Sequence, residues 1–468
     1  MNLITKTILT LVTLIFIACG GGESSSTSES DNRQTVEALE LANTVDITET
    51  QYFRVLSPKN CEQENKNQFI YQVMHDSYLW SNDVPELDFS DSQYNSSEKM
   101  LTALKSNNDK FSFIIDAQTA QSFFEEGKNN DFGMGLTVAQ LNSSTNVLAI
   151  TYIYPDSPAD KAGLKRGDII THIESKSITS ENIDAIVDIL DNQKIIKFTF
   201  LEENNSTNNK TITKESYSIK TFLYSNIFTN DSGNKRVGYL VFQDFIQNAL
   251  QEMNPIFKTF KDYNVNELIL DLRYNGGGAV NVANHLSSLI GGVNVSENIF
   301  NHTNFNDRYS NFNDTSYFET HNNNALNLNR VFVITTPSTC SSSELVINAL
   351  KASANNIEVI QIGSTTCGKP YGFLGSGKFC DKALFAINVE SKNGDDIGNY
   401  VNGLSPTCPV QDNYFKDFGD TSEDSLNEAL NYITTGKCTT KTLKQQKVKQ
   451  VSDFQLPKDG FKRIMSAY

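Results

Sequence analysis

Thr339-Cys340-Ser341-Ser342-Ser343-Glu344 lies between an apolar, β-branched run at 331–335 and an apolar run of helical spacing at 344–352. A strand that turns through serines into a helix is one link of an α/β chain. The alternation extends both ways. Residues 237–242, 267–272 and 357–362 read as short buried strands, and 249–260 and 279–289 as helices. Pro255 argues for a late start or a kink in the first of these helices. Such alternation predicts largely parallel strands, with chemistry beyond their carboxyl ends. Three chemically loaded segments fall there: Asn275-Gly276-Gly277-Gly278, the serine run, and Gly368-Lys369.

Together these segments offer the parts of acyl transfer. A serine hydroxyl is a poor nucleophile at neutral pH and needs a base within hydrogen-bond reach. His75, His172, His285, His302 and His321 fall away from the strand ends or in loops. A lysine can serve if burial lowers its pKa. Lys369, just after a predicted buried strand, is so placed, although taken alone it reads more readily as a surface turn lysine. The glycine run frees backbone N–H groups for an oxyanion. No GxGxxG or GK[ST] spacing follows it, which argues against a phosphate loop. Residue chemistry alone leaves three adjacent serines open.

Of 468 residues, 39 are Lys or Arg and 55 Asp or Glu, a formal charge of -16. That balance excludes the basic face a nucleic-acid partner requires. At the N-terminus, Lys6 and the apolar stretch 8–17 read as a signal segment too short to span a bilayer. Phe16-Ile17-Ala18-Cys19 resembles a bacterial lipobox, which implies lipidation of Cys19 and attachment to membrane through the lipid alone. Gly20 and Gly21 after it point to an outer-membrane lipoprotein facing the periplasm. Six further cysteines in an exported chain favour disulfides and allow 15 pairings. Cys367 with Cys380, bracketing a Gly-rich turn, is the expected pair. No CxxC or metal-ligand spacing occurs, so neither a metal nor a cofactor is expected.

Residues 1–19 are thus a lipoprotein signal peptide, 20–50 a flexible linker and 51–125 a small helical N-terminal domain, with Trp80 as a core anchor. Residues 126–222 form a mainly-β domain, 223–436 an α/β core and 437–468 a basic, solvated tail. An irregular surface excursion is expected over 293–329, and further strands over 384–389 and 400–401.

In the second domain Ser157-Pro158-Ala159-Asp160-Lys161-Ala162-Gly163-Leu164-Lys165-Arg166-Gly167-Asp168 reads as a capped short helix turning into a strand. This string resembles a PDZ domain of the bacterial protease type. By that resemblance Gly133, Met134, Gly135 and Leu136 stand where the family binds a peptide C-terminus, by strand addition.

Asp271-Leu272-Arg273-Tyr274-Asn275-Gly276-Gly277-Gly278 looks like the DLRxNxGG signature of the C-terminal processing (tail-specific) peptidases, Ser/Lys proteases of the S41 type. Cys340-Ser341-Ser342-Ser343-Glu344 resembles their ASASE motif, and Thr365-Thr366-Cys367-Gly368-Lys369 their TFGK motif. The resemblance implies a multidomain protein with an α/β protease core of crotonase-like or ClpP-like type and an inserted PDZ domain. It implies Ser341 as nucleophile, Lys369 as general base, and the N–H groups of Gly278 and Ser342 as the oxyanion hole. It also implies protein or peptide substrates with exposed C-termini. Phe373 stands where many members place a glutamine that orients the lysine; here it helps desolvate the amine. The alternatives are a catalytically inactive PDZ scaffold or peptide-binding lipoprotein, and an acyl-CoA enzyme on the related crotonase-type fold.

Overall fold

The computed structural model describes residues 55, 57–142, 145–230, 235–320, 323–373, 377–439 and 449–450. The signal peptide, its Cys19, the linker and most of the tail lie outside the described residues.

The core is a six-stranded sheet in the order Phe222–Asn230, Lys235–Phe242, Glu267–Asp271, Arg330–Thr335, Glu358–Gly363, Cys408–Pro409. The first strand is antiparallel to its neighbour and the others are parallel. Alternate side chains divide between two apolar layers, as the period of a strand requires. Leu268, Leu270, Val331 and Val333 pack against helices Asn248–Asp262, Val280–Gly291 and Ser342–Leu350. Ile269, Phe332, Ile334 and Ile360 face Leu426, Ala429 and Ile433 of helix Asp424–Thr435. Each large side chain so buried contributes roughly 1.5–3 kcal/mol. The layers therefore fix where the strand ends, and the loops on them, must sit.

Helix Asn248–Asp262 runs through Pro255 instead of starting after it. Ala249, Met253, Phe257 and Phe260 carry its buried stripe, while Pro255 and Gln251 are exposed, so the carbonyl that loses its donor faces water.

The PDZ-like sheet runs Met134–Asn142, Thr145–Ile153, Ile169–Ile173, Ile195–Leu201, Thr207–Thr213. Ser157 caps the short helix Pro158–Lys161 by accepting from the Asp160 N–H, and Gly163 follows at φ +69°. The tail is not wholly solvated: Lys449–Gln450 adds antiparallel to the outer edge of Met134–Asn142, opposite Gln140 and Ala139.

The N-terminal helices Gln63–Asp76 and Ser97–Leu104 pack Ile70, Val73, Met100 and Leu104 against Leu384, Ala386 and Ile387 of the core. Strand Phe113–Asp116 pairs with Lys382–Phe385. This region therefore shares its apolar centre with the α/β core.

Three expectations are corrected. Residues 293–329 are not irregular: Ile299–Phe305 pairs with Asp314–Tyr317 and with Val389–Lys392. Their asparagines hide the strand by forming side-chain bonds in place of an apolar alternation; Asn306 donates to the carbonyls of Asp76 and Tyr78. Residues 400–401 form no strand. The disulfides join Cys61 to Cys380, Cys340 to Cys367 and Cys408 to Cys438, not Cys367 to Cys380. Cys380 lies on a hairpin turn beneath the N-terminal helices, where a residue 319 positions away comes closer than one 13 away.

Candidate active site

The loop after Glu267–Asp271 is anchored by a buried ion cluster. Arg273, 1 % exposed, donates to Asp271, Glu423 and Asp412. Burial works against its charge, yet these carboxylates hold its pKa well above the ordinary value. Arg166, from the PDZ region, joins the cluster through Asp412 at 3.2 Å and the Tyr274 hydroxyl at 2.6 Å. The strand end is thereby fixed, and the next residues turn sharply. Asn275 donates to the Phe242 carbonyl and accepts from the Gly277 N–H.

Gly277 and Gly278 stand at φ +104° and +135°, where side chains are strained. A Cβ on Gly277 would lie 2.7 Å from that of Ser341, and one on Gly278 would lie 2.2 Å from the Phe245 carbonyl oxygen. Glycine is thus required for the loop to close against the serine run.

The structure separates the three serines. Ser342 and Ser343 donate their hydroxyls to the carbonyls of Gly278 and Asn275, at 2.6 and 2.9 Å. Both are buried, whereas Ser341 is partly exposed. Ser341 also holds φ 53°, ψ -117°, a conformation that L-residues keep only where their surroundings impose it. It caps helix Ser342–Leu350, whose first N–H groups have no partner within the helix. Among the described residues neither the Ser342 nor the Gly278 N–H has a hydrogen-bond acceptor. Two N–H groups, one next to Ser341 in the chain and one in the glycine loop packed against it, are therefore left without an acceptor among the described residues.

Lys369 is 3 % exposed. Its Nζ sits 3.9 Å from the Phe373 ring centroid and 5.6 Å from that of Phe111. Burial lowers its pKa to about 7, against the opposing pull of the Asp109 and Glu344 carboxylates.

Glu344 bridges the serine run and the lysine segment. Its Oε2 accepts the N–H of Ser341 at 3.0 Å and that of Lys369 at 2.8 Å. Oε1 accepts from the Gly368 N–H at 2.8 Å and from the Thr366 hydroxyl. Burial raises its carboxyl pKa, and these donors oppose the rise. A signal for it was present: Ser341-x-x-Glu344 is the spacing of a helix capping box. Phe111 and Asp109 carried no comparable signal, because they reach the lysine from the N-terminal region.

Gly133, Met134, Gly135 and Leu136 lie apart from this centre, at the start of the PDZ edge strand. Met134 and Leu136 are buried in that domain's own core. The Gly133 N–H donates to Asp131 at 2.7 Å.

The sequence model of peptidase family S41 matches residues 236–373, that of a PDZ domain 149–201, and that of the peptidase S41 N-terminal domain 65–113. A Staphylococcus saprophyticus protein described as a CtpA-like serine protease is 26% identical over 235 residues, 49% of this chain and 43% of that protein. A Staphylococcus epidermidis protein of the same description is 26% identical over 48% of this chain and 42% of its own. The chain thus aligns with less than half the length of these relatives. The crystal structure of a Bacteroides fragilis protein described as an S41 protease superposes with a TM-score of 0.62. It is 24% identical and covers 78% of this chain and 97% of its own, a likeness of fold. Segments matching the S41 N-terminal domain, a PDZ domain and peptidase family S41 thus follow one another along the chain in that order.

Proposed function

We propose that this protein is an exported serine endopeptidase that takes hold of C-terminal peptide segments through its PDZ domain and cleaves them by a Ser/Lys acyl-enzyme route. The observation that carries the reading is the Glu344 carboxylate, one oxygen of which binds the backbone N–H of both Ser341 and Lys369. One buried side chain thereby holds nucleophile and base segments together, beside two free N–H groups.

In this mechanism neutral Lys369 takes the Ser341 hydroxyl proton as Oγ attacks the scissile carbonyl. The N–H groups of Gly278 and Ser342 receive the oxyanion. The lysine ammonium then gives its proton to the leaving amine, and the C–N bond breaks to leave an ester on Ser341. Water, deprotonated by the same amine, attacks that ester, and the ammonium returns the proton to Oγ as the C–O bond to Ser341 breaks. A base with a pKa near 7 is suited to both halves of the cycle.

Substrate enters the proposal through strand addition. The edge of Met134–Asn142 already takes a strand from the chain's own tail, so it is competent to pair with an extended peptide. Three disulfides fit an oxidising compartment, and lipidation at Cys19 would hold the enzyme on the outer membrane facing the periplasm.

The test is cleavage of an unstructured peptide with an apolar C-terminus. Ser341→Ala and Lys369→Ala should each abolish it while circular dichroism stays native. Cleavage by purified Ser341→Ala would end the proposal.

A further inference from the structure

The cystine Cys340–Cys367 stands one residue before Ser341 and two before Lys369, with Cα atoms 5.2 Å apart. Resting on the Ser/Lys reading, we propose that this cross-link positions the nucleophile against the base, and that a dithiol which opens it slows acylation reversibly.

Three observations carry the proposal. First, the cross-link sits where three loops meet: the Cys367 N–H donates to the Thr339 carbonyl at 3.0 Å, and the Cys340 N–H to that of Asn275 at 3.1 Å. It therefore ties together the oxyanion, nucleophile and base segments. Second, the residue after each cysteine holds a positive φ, 53° at Ser341 and 83° at Gly368. Glycine adopts such a φ freely, but Ser341 keeps it only where its surroundings over-determine it, and a covalent tie at the preceding residue does so.

Third, the Cys367 Sγ lies 3.4 Å from Glu344 Oε2, the oxygen that accepts the N–H groups of Ser341 and Lys369. As a disulfide this sulfur carries no proton. Reduced, it becomes an S–H donor aimed at that oxygen, in competition with both N–H groups. Opening the bond thus removes a covalent tie and loads the non-covalent one beside it.

The chemistry balances through thiol exchange. A thiolate of the dithiol attacks the half-buried Cys367 sulfur and expels Cys340 as thiolate, which takes a proton. The second thiol of the reagent closes on the mixed disulfide and releases Cys367. Two electrons and two protons pass to the protein, and the reagent leaves as a cyclic disulfide. The ASASE and TFGK motifs carry alanine and phenylalanine at these positions, so the tie is a feature of this chain and its removal need not unfold the site.

The experiment uses the full chain, with alkylation and mass spectrometry to report which cystines are open. Labelling of Ser341 by a serine-reactive phosphonate, and the pH profile of peptide cleavage, are measured before and after dithiothreitol. A misplacement of about 1 Å in an oriented reaction costs about 100-fold. Opening Cys340–Cys367 should therefore slow labelling and kcat at least about tenfold and leave KM little changed. The alkaline-rising limb should move to higher pH as the lysine gains water, and reoxidation should restore the original rate. Cys340→Ala/Cys367→Ala should be slow from the start and indifferent to dithiothreitol, whereas Cys61→Ala/Cys380→Ala should respond as the parent does. An open Cys340–Cys367 with unchanged labelling rate and pH limb overturns the proposal and leaves the Ser/Lys reading standing. An oxidised chain that never labels overturns both.

Discussion

Two glycine loops in this molecule begin alike. In each, an aspartate accepts a backbone N–H two residues on: Asp271 from Arg273 at 3.2 Å, and Asp131 from Gly133 at 2.7 Å. They then diverge. Asp271 is also gripped by the Arg273 guanidinium, so the turn is fixed by ion pairs and the Gly278 N–H is left over. Asp131 receives the Tyr217 hydroxyl and the Asn129 amide, and the N–H it takes from Gly133 is one a peptide carboxylate could have used. On the function proposed above, the catalytic loop keeps a donor free by anchoring itself elsewhere, whereas the binding loop spends one on itself. The difference can be broken at either loop.

The largest effect should come from removing the anchor. Arg273→Met would leave Asp271, Asp412 and Glu423 buried without their shared partner. Breaking such a cluster from one side costs about 3–5 kcal/mol. Urea unfolding should show that loss in the midpoint, and an unchanged midpoint would mean the cluster is not the anchor. Gly278→Ala attacks the next step. Its Cβ would strike the Phe245 carbonyl, so the loop must shift and the N–H must turn away. Loss of one oxyanion donor costs about 100- to 1,000-fold in kcat, or about 2.7–4 kcal/mol. Steady-state kinetics on a peptide should show a fall in kcat with KM nearly constant.

The contrast also marks how far the sequence reaches. The core strands were legible because Val331, Phe332, Val333 and Ile334 supply both faces of a doubly covered sheet. The glycine loop was legible because only glycine tolerates positive φ against a neighbouring backbone. The choice among Ser341, Ser342 and Ser343 was not, since it depends on which hydroxyls meet carbonyls of a loop some 65 residues away. The cystines were misread for the same reason: Cys61 and Cys380 meet only once the N-terminal helices settle on the core. Phe111 and Asp109 likewise act on Lys369 through tertiary packing, which no local pattern records.

A smaller effect should appear in the pH profile, where two groups compete for the same limb. Burial lowers Lys369 to about 7. Burial raises Asp244 to about 7, partly offset by the hydrogen bond it accepts from Tyr154 of the PDZ region. The lysine is protonated and inert below its pKa and neutral above it. Hence kcat/KM should rise about tenfold per pH unit up to about 7 and then level. Deprotonation of Asp244 over the same range would instead place a charge between the PDZ and core regions. Asp244→Asn separates the two: the rising limb should survive in that variant. A flat profile there would transfer the titration from the base to the domain contact.

The smallest effect belongs to the binding loop. If Asp131 competes with a peptide carboxylate for the Gly133 N–H, Asp131→Asn should ease that competition. Its amide oxygen can still accept from Gly133, but the negative charge is gone. Desolvation raises the Asp131 carboxyl, with the Tyr217 and Gly133 bonds opposing. The gain should be a few-fold in KM, on the order of 1 kcal/mol or less, as for charge pairs at a solvated surface. It should appear for a peptide with a free C-terminus and vanish for the same peptide amidated, while kcat stays constant. Equal KM values for the two peptides in both proteins would place recognition on the strand edge alone, where Ala139 and Gln140 already pair with the tail.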